Sequence, residues 1–159
     1  MKNKLARITA SYFGIGFAPK APGTMGSLAT LPLAFVLAYF WGCAGILAGA
    51  AVAFFAGVWA TNEIISKQDE KDPSFVVIDE TAGQLTAFLI VAPQLQTNSD
   101  AWAVYLTGFA LFRFFDILKA GPVKWADSKL KNAWGVMLDD IFAGMFAAVI
   151  LAALTRIGL

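Results

Sequence analysis

Five stretches of the chain are apolar over lengths that suit burial in a bilayer, and short polar segments separate them. The first two arrive as one block, because no charged side chain stands between Lys20 and Glu63. One crossing takes about 20 residues, so a block this long must fold back on itself. Gly42-Cys43-Ala44-Gly45, which follows the aromatic end Tyr39-Phe40-Trp41, is the flexible break. The spans predicted on either side are Thr24–Trp41 and Ile46–Ile65. Three more are predicted at Phe75–Ala92, Ala101–Leu118 and Val136–Ile157. Gly121–Trp134 alternates Lys124, Lys129 and Lys131 with Val123, Trp125, Leu130 and Trp134, the pattern of an amphipathic helix lying in the headgroup layer. The expected fold is all-α: a polytopic helical membrane protein with about five membrane-embedded helices and one interfacial helix, forming a single domain over residues 1–159.

The connections give this arrangement a direction. Five crossings place the N-terminal segment 1–23 and the loops 66–74 and 119–135 on the same side. That side then holds every Lys and Arg except Arg156, and every acidic residue except Asp100. Such an excess of Lys and Arg marks a cytoplasmic face. The segment 8–18 is interrupted by Ser11, Gly14 and Gly16, so it reads as an interfacial or re-entrant lead-in rather than a signal peptide.

Composition agrees, with 58% hydrophobic and 14% charged residues. A net charge of +1 gives no reason to expect a nucleic-acid partner. The single cysteine, Cys43, can form no internal disulfide. Oligomeric state leaves no mark in the sequence.

The acidic residues carry the candidate chemistry. Two adjacent pairs, Asp79-Glu80 and Asp139-Asp140, lie just inside apolar runs, and Asp116 closes another. Helix capping is one account of each pair. The other is a metal site. The apolar residues before each pair would place it about one turn, ~5 Å, below the membrane surface, where an unpaired carboxylate is costly. The predicted topology brings both pairs and Asp116 to one face. The chain has no histidine, so the natural ligand set is all oxygen and suits Mg²⁺, with Asp79, Glu80, Asp139 and Asp140 as ligands and Asp116 as a fifth donor.

Arg113, Asp116 and Lys119 recur every three residues and share one helical face. They form either a local ion pair or a phosphate clamp in which Arg113 offers a fork and Lys119 a point charge. The loop from Pro19 to Ser27 carries Gly23 and Gly26 into the first span. Thr24, Ser27 and free N–H groups at the helix start could bind phosphate oxygens there, although no Walker pattern is present.

Four ordered blocks resemble the phosphatidylglycerophosphatase A family. They are Ala21-Pro22-Gly23-Thr24-Met25-Gly26-Ser27-Leu28; Asp72-Pro73 leading to Val77-Ile78-Asp79-Glu80 and Gly83; Arg113-Phe114-Phe115-Asp116-Ile117-Leu118-Lys119; and Gly135-Val136-Met137-Leu138-Asp139-Asp140 with Ala143-Gly144. The chain departs from the family pattern at Ala120, where proline is usual, and at Asn132-Ala133-Trp134-Gly135, where paired glycines are usual. The resemblance implies a Mg²⁺-dependent, multi-pass enzyme of the bacterial inner membrane. Such an enzyme hydrolyses phosphatidylglycerophosphate in the inner leaflet to phosphatidylglycerol and phosphate, with its active site facing the cytoplasm. In this reading Asp79, Glu80, Asp139 and Asp140 hold the metal, Arg113 and Lys119 neutralise the transferring phosphoryl group, and Asp116 is a ligand or a general base. The alternatives are a divalent-cation transporter built on the same carboxylates and a CDP-alcohol phosphotransferase, whose D-G-x₂-A-R signature is missing.

Overall fold

A computed structural model describes residues 2–66, 73–95, 101–130 and 132–158, apart from the side chains of Lys2, Asn3 and Asp127. All regular structure among them is helical: α1 (Lys2–Ala10), a 3₁₀ turn (Ile15–Phe17), α2 (Pro22–Ile65), α3 (Ile78–Phe88), α4 (Ala92–Leu95), α5 (Ala101–Leu118), α6 (Pro122–Lys129) and α7 (Ala133–Arg156). Positions 67–72, 96–100 and 131 lie outside the described residues. They include most of the expected 66–74 loop and Lys131 of the amphipathic segment.

Three helices, α2, α5 and α7, are long and apolar enough to cross a membrane. The first is bent double at Gly42, whose φ of 56° and ψ of −137° suit a residue without a Cβ. A Cβ on Gly49 would lie 2.5 Å from Leu37 Cδ1. In a straight helix these residues would stand about 18 Å apart along the axis. Residues 22–41 and 43–65 are therefore antiparallel arms, as the Gly42–Gly45 break predicts.

The third expected span, Phe75–Ala92, is not one continuous helix: α3 is too short to cross alone, and the turn 89–91 with α4 carries the chain on toward the end where Trp102 lies. Its helical part is α3, and 11 residues reach only about 16 Å against a hydrocarbon core of about 30 Å. Both ends have physical causes. Before α3 the chain is held by the N-terminal segment, where Val77 N–H donates to the Ala10 carbonyl at 2.8 Å. The Arg7 guanidinium also lies over the rings of Phe17 and Phe75, at 5.7 and 5.2 Å from their centres. After α3, Pro93 has no N–H with which to continue the ladder to the Leu89 carbonyl. The Cys43 thiol from the α2 bend donates to that carbonyl instead, at 3.7 Å.

Apolarity here signals an inner helix. Every residue of α3 except Glu80 and Thr86 is buried. Leu85 and Phe88 pack among Ala34, Ala38, Ile46 and Ala50 of α2, Val104 and Tyr105 of α5, and Leu151 of α7. The crossing of α3 with α7 is closest at two glycines. A Cβ on Gly144 would overlap the Gly83 carbonyl oxygen, and one on Gly83 would lie 2.6 Å from the Asp140 carbonyl oxygen. Small residues let membrane helices approach this far, and the approach sets Asp140 beside the first turns of α3.

The outward faces are apolar, with Val52, Phe55, Leu106, Phe114, Met145 and Val149 all exposed. Trp41 and Trp102 lie at one end of the bundle and Trp125 and Trp134 at the other, two levels suited to the two interfaces of a bilayer. Of the expected amphipathic segment Gly121–Trp134, α6 forms Pro122–Lys129, and Trp134 belongs to the first turn of α7. Val123 and Ala126 are buried, while Lys124, Trp125 and Lys129 are exposed.

Candidate active site

The end of the bundle that carries Trp125 and Trp134 also gathers the start of α2, the start of α3, the end of α5 and the second turn of α7. Between them is a cavity of about 410 Å³, lined by Gly23, Thr24, Ser74, Asp79, Glu80, Arg113, Asp116, Lys119, Asp139 and Asp140 among others. A larger cavity of about 630 Å³ lies between the arms of α2, around Leu33, Leu37, Gly45 and Gly49. Its lining holds no charged group, so it offers nothing to a phosphate or a cation.

Each acidic pair is arranged by its helix. Asp79 Oδ1 accepts the Glu80 N–H, and Asp139 Oδ1 accepts the Asp140 N–H, both at 3.0 Å. Capping does not account for the second pair. α7 begins at Ala133, not at the expected Val136, and its cap is Asn132, whose side-chain oxygen accepts the Gly135 N–H at 3.1 Å. Asp139 and Asp140 lie beyond the free N–H groups of that first turn.

Carboxylate oxygens of Asp79, Glu80 and Asp140 lie within 4.8 Å of one another. Asp79 and Asp140 are 8% and 3% exposed, so little water screens them. Asp116 stands beside Asp140. Of the four expected metal ligands, Asp139 is not in this group. Successive helical residues point about 100° apart, and Asp139 turns to Lys119, with Oδ2 at 3.1 Å from Nζ. Lys119 ends α5 in a left-handed conformation, φ 44°, which aims its side chain across to α7.

Arg113 is the central cation. Its Nη1 lies 2.9 Å from Asp116 Oδ2, 3.6 Å from Glu80 Oε1 and 3.5 Å from Ser27 Oγ. Ser27 differs from its expected role. It is fully buried, donates to the Gly23 carbonyl at 3.0 Å and supports the guanidinium from behind. Thr24 does line the cavity. One contributor, Ser74, escapes sequence reasoning, and Gly23 of the glycine loop has a role other than the expected one. Ser74 lines the cavity mouth, and its only signal is a hydroxyl next to Pro73. Gly23 is needed for space, because a Cβ there would overlap Glu80 Oε1.

The charge balance decides what this arrangement can do. Glu80 and Asp116 both meet the guanidinium of Arg113, and Asp79 and Asp140 crowd in beside them. Like charges gathered in a poorly hydrated site repel one another, and a divalent cation would offset them. Glu80 Oε2 and Asp140 Oδ2 are buried and have no hydrogen-bond partner among the described residues. The donors are all oxygen, so they fit a hard cation such as Mg²⁺. With Arg113 and Lys119 on the rim, the cavity could accept a phosphate group next to that cation.

Comparison with known proteins gives the same direction. The sequence profile of phosphatidylglycerophosphatase A matches residues 8–155. A Haemophilus influenzae protein named phosphatidylglycerophosphatase A is 36% identical over 142 residues, covering 89% of this chain and 83% of that protein. The Escherichia coli protein of the same name is 31% identical over 140 residues, covering 87% and 77%. A Bacteroides thetaiotaomicron protein, provisionally named a phosphatidylinositol-3-phosphatase, is 40% identical over 149 residues, covering 88% and 87%. No solved structure matches the chain. Four blocks of sequence, one cavity that unites them and a profile match over nearly the whole length place this chain in the phosphatidylglycerophosphatase A family.

Proposed function

We propose that this protein is a Mg²⁺-dependent lipid phosphatase that hydrolyses phosphatidylglycerophosphate to phosphatidylglycerol and phosphate. It acts on a phospholipid of the inner leaflet, at the cytoplasmic face of a bacterial inner membrane. The observation that carries the reading is the meeting of Asp79 and Glu80 with Asp140 in one cavity that Arg113 and Lys119 border. Asp79, Glu80 and Asp140 would hold the metal. Bound there, Mg²⁺ would supply Lewis-acid polarisation of the phosphoryl group and a more acidic water.

The remaining steps belong to the chain. Arg113, and Lys119 across the cavity, attract the phosphomonoester and neutralise charge on its oxygens as the phosphorus is attacked. The first N–H groups of α2 and the Thr24 hydroxyl donate to the same oxygens. Asp116 lies beside both Arg113 and Asp140, where it can take the proton of the attacking water. The new bond joins water oxygen to phosphorus, and the bond that breaks joins phosphorus to the glycerol oxygen. That oxygen takes a proton from water at the cavity mouth and leaves on the lipid. Asp139 holds Lys119 in place. A phosphorylated aspartate trapped during turnover would replace the water-attack version.

The test is phosphate release by purified protein in detergent, with and without Mg²⁺. Phosphatidylglycerophosphate and phosphatidylinositol 3-phosphate would be offered in parallel, the second because of the name of the Bacteroides relative. Metal-dependent release from the first substrate supports the proposal. Ion flux in vesicles without phosphate release would favour the transporter, and CMP release from a CDP-lipid would favour the phosphotransferase.

A smaller change tests the geometry. Gly23→Ala should displace the Glu80 carboxylate and slow phosphate release about tenfold, the scale seen when a supporting contact of a metal site is lost. Helix content by circular dichroism should stay unchanged. A wild-type rate would show that Glu80 can leave its place without consequence.

A further inference from the structure

Gln84 lies four residues after Glu80 in α3, on the same helical face and one turn deeper. Its side chain is fully buried, and neither its amide nitrogen nor its amide oxygen has a hydrogen-bond partner among the described residues. Burying an amide with both ends unmet is costly, so such a group needs an explanation. Two other buried atoms of the site are also unmet: the acceptor Glu80 Oε2 and the donor Arg113 Nε. The three residues are complementary. Gln84 Nε2 has protons to give and Glu80 Oε2 has lone pairs to receive them. Arg113 Nε has a proton to give and Gln84 Oε1 can accept it.

Their placement suits these pairings. Glu80 faces the α2–α5 seam, since it approaches both Gly23 and the Arg113 guanidinium. Gln84 follows it on that face. Arg113 meanwhile uses Nη1 for Asp116, Glu80 and Ser27, while its buried Nε is unmet among the described residues. A phosphate arriving at Arg113 and a cation arriving at Glu80 would compete with the direct contact between these two side chains. Something else must then keep both in position.

We infer that Gln84 is a positioning residue of this site, resting on the metal-phosphatase reading above. Its amide ties Glu80 through Nε2–H and Arg113 through Oε1 when cation and phosphate are bound. It touches neither substrate nor metal. It fixes the distance between the residue that would hold the cation and the residue that holds the phosphate.

The experiment uses the full chain in detergent with Gln84→Met and Gln84→Glu. Methionine keeps the volume and removes the amide. Glutamate keeps an acceptor toward Arg113, loses the donor toward Glu80 and adds a further negative charge. Mn²⁺ is titrated directly by electron paramagnetic resonance, so this readout does not depend on turnover. KM for phosphatidylglycerophosphate and the melting temperature are measured alongside.

Gln84→Met should bind Mn²⁺ about tenfold more weakly, the effect of losing an outer-shell partner. It should also raise KM while the melting temperature is unchanged or higher. Gln84→Glu should bind Mn²⁺ more weakly still. Wild-type Mn²⁺ affinity and KM in both variants overturn the inference, as does a loss of affinity that comes with a matching fall in melting temperature. If the unmodified protein binds no Mn²⁺, the metal reading itself fails. A wild-type KM in Gln84→Met would then remove the Arg113 half of the inference as well.

Discussion

Asp140→Asn should lower the rate of phosphate release on the order of 10³-fold, the loss expected when a preorganised charge-stabilising group is removed, and should leave the protein as stable as before or more so. The two effects have one cause. Asp140 is 3% exposed, its Oδ2 has no partner among the described residues, and Asp79, Glu80 and Asp116 crowd around it. Without a cation this carboxylate repels its neighbours, and asparagine of nearly the same shape relieves that repulsion. With a cation it is a ligand that asparagine replaces poorly. Residues kept for function often weaken the fold in this way. Asp139→Asn is the matched control, because Asp139 pairs with Lys119 and is not one of the three carboxylates that lie within 4.8 Å of one another. It should cost about tenfold, as an outer contact does. Phosphate release and thermal unfolding, measured on both variants, decide the matter. Equal losses at the two positions would leave no basis for separating ligand from support.

The opposite sign of stability is expected at Arg113. Arg113→Ala should slow phosphate release by about 10²–10³-fold and also destabilise the fold by roughly 3–5 kcal/mol, because it leaves partly buried carboxylates without their cation. The guanidinium meets Asp116 at 2.9 Å and Glu80 at 3.6 Å from one nitrogen, with the Ser27 hydroxyl behind. Arg113→Lys keeps the charge but exchanges a rigid planar fork for a compact ammonium on a flexible stem. It should recover most of the stability and only part of the rate. Added Mg²⁺ should stabilise the alanine variant more than the wild type, since the metal would then be the main counter-charge. A variant within threefold of the wild-type rate would show that the phosphate is held elsewhere.

Most of the bundle could be read from residue order alone. Apolar length gave α5, α7 and the arms of α2, and the glycines at 42 and 45 marked the fold-back. The residues that converge on the cavity were visible as acidic pairs at the edges of apolar runs, with Arg113, Asp116 and Lys119 on one face. Three things needed coordinates. The apolar run of 75–92 does not reveal that α3 is an inner helix, because burial by neighbouring helices and burial by lipid select the same side chains. Its early end depends on Pro93 leaving Leu89 open to Cys43, a residue far away in the chain. The division of labour between Asp139 and Asp140 depends on where α7 begins, and Asn132 sets that start three residues before the expected one. Ser27 looked like a phosphate donor because it stands in a glycine loop, yet the first turns of α2 face it inward toward Arg113.

The cavity's parts are synthesised in chain order, and the crossing at Gly83 and Gly144 is the last to form. Gly23 leaves the ribosome early, Asp79 and Glu80 midway, Arg113 later, and Asp140 on the last helix. A nascent chain up to α6 carries Asp79, Glu80, Asp116 and the Arg113 guanidinium but lacks Asp140, so the group of three carboxylates that lie within 4.8 Å of one another is incomplete. Closure of α7 on α3 brings Asp140 in and completes the cavity. On the proposed mechanism, phosphate release therefore waits until the last helix has packed.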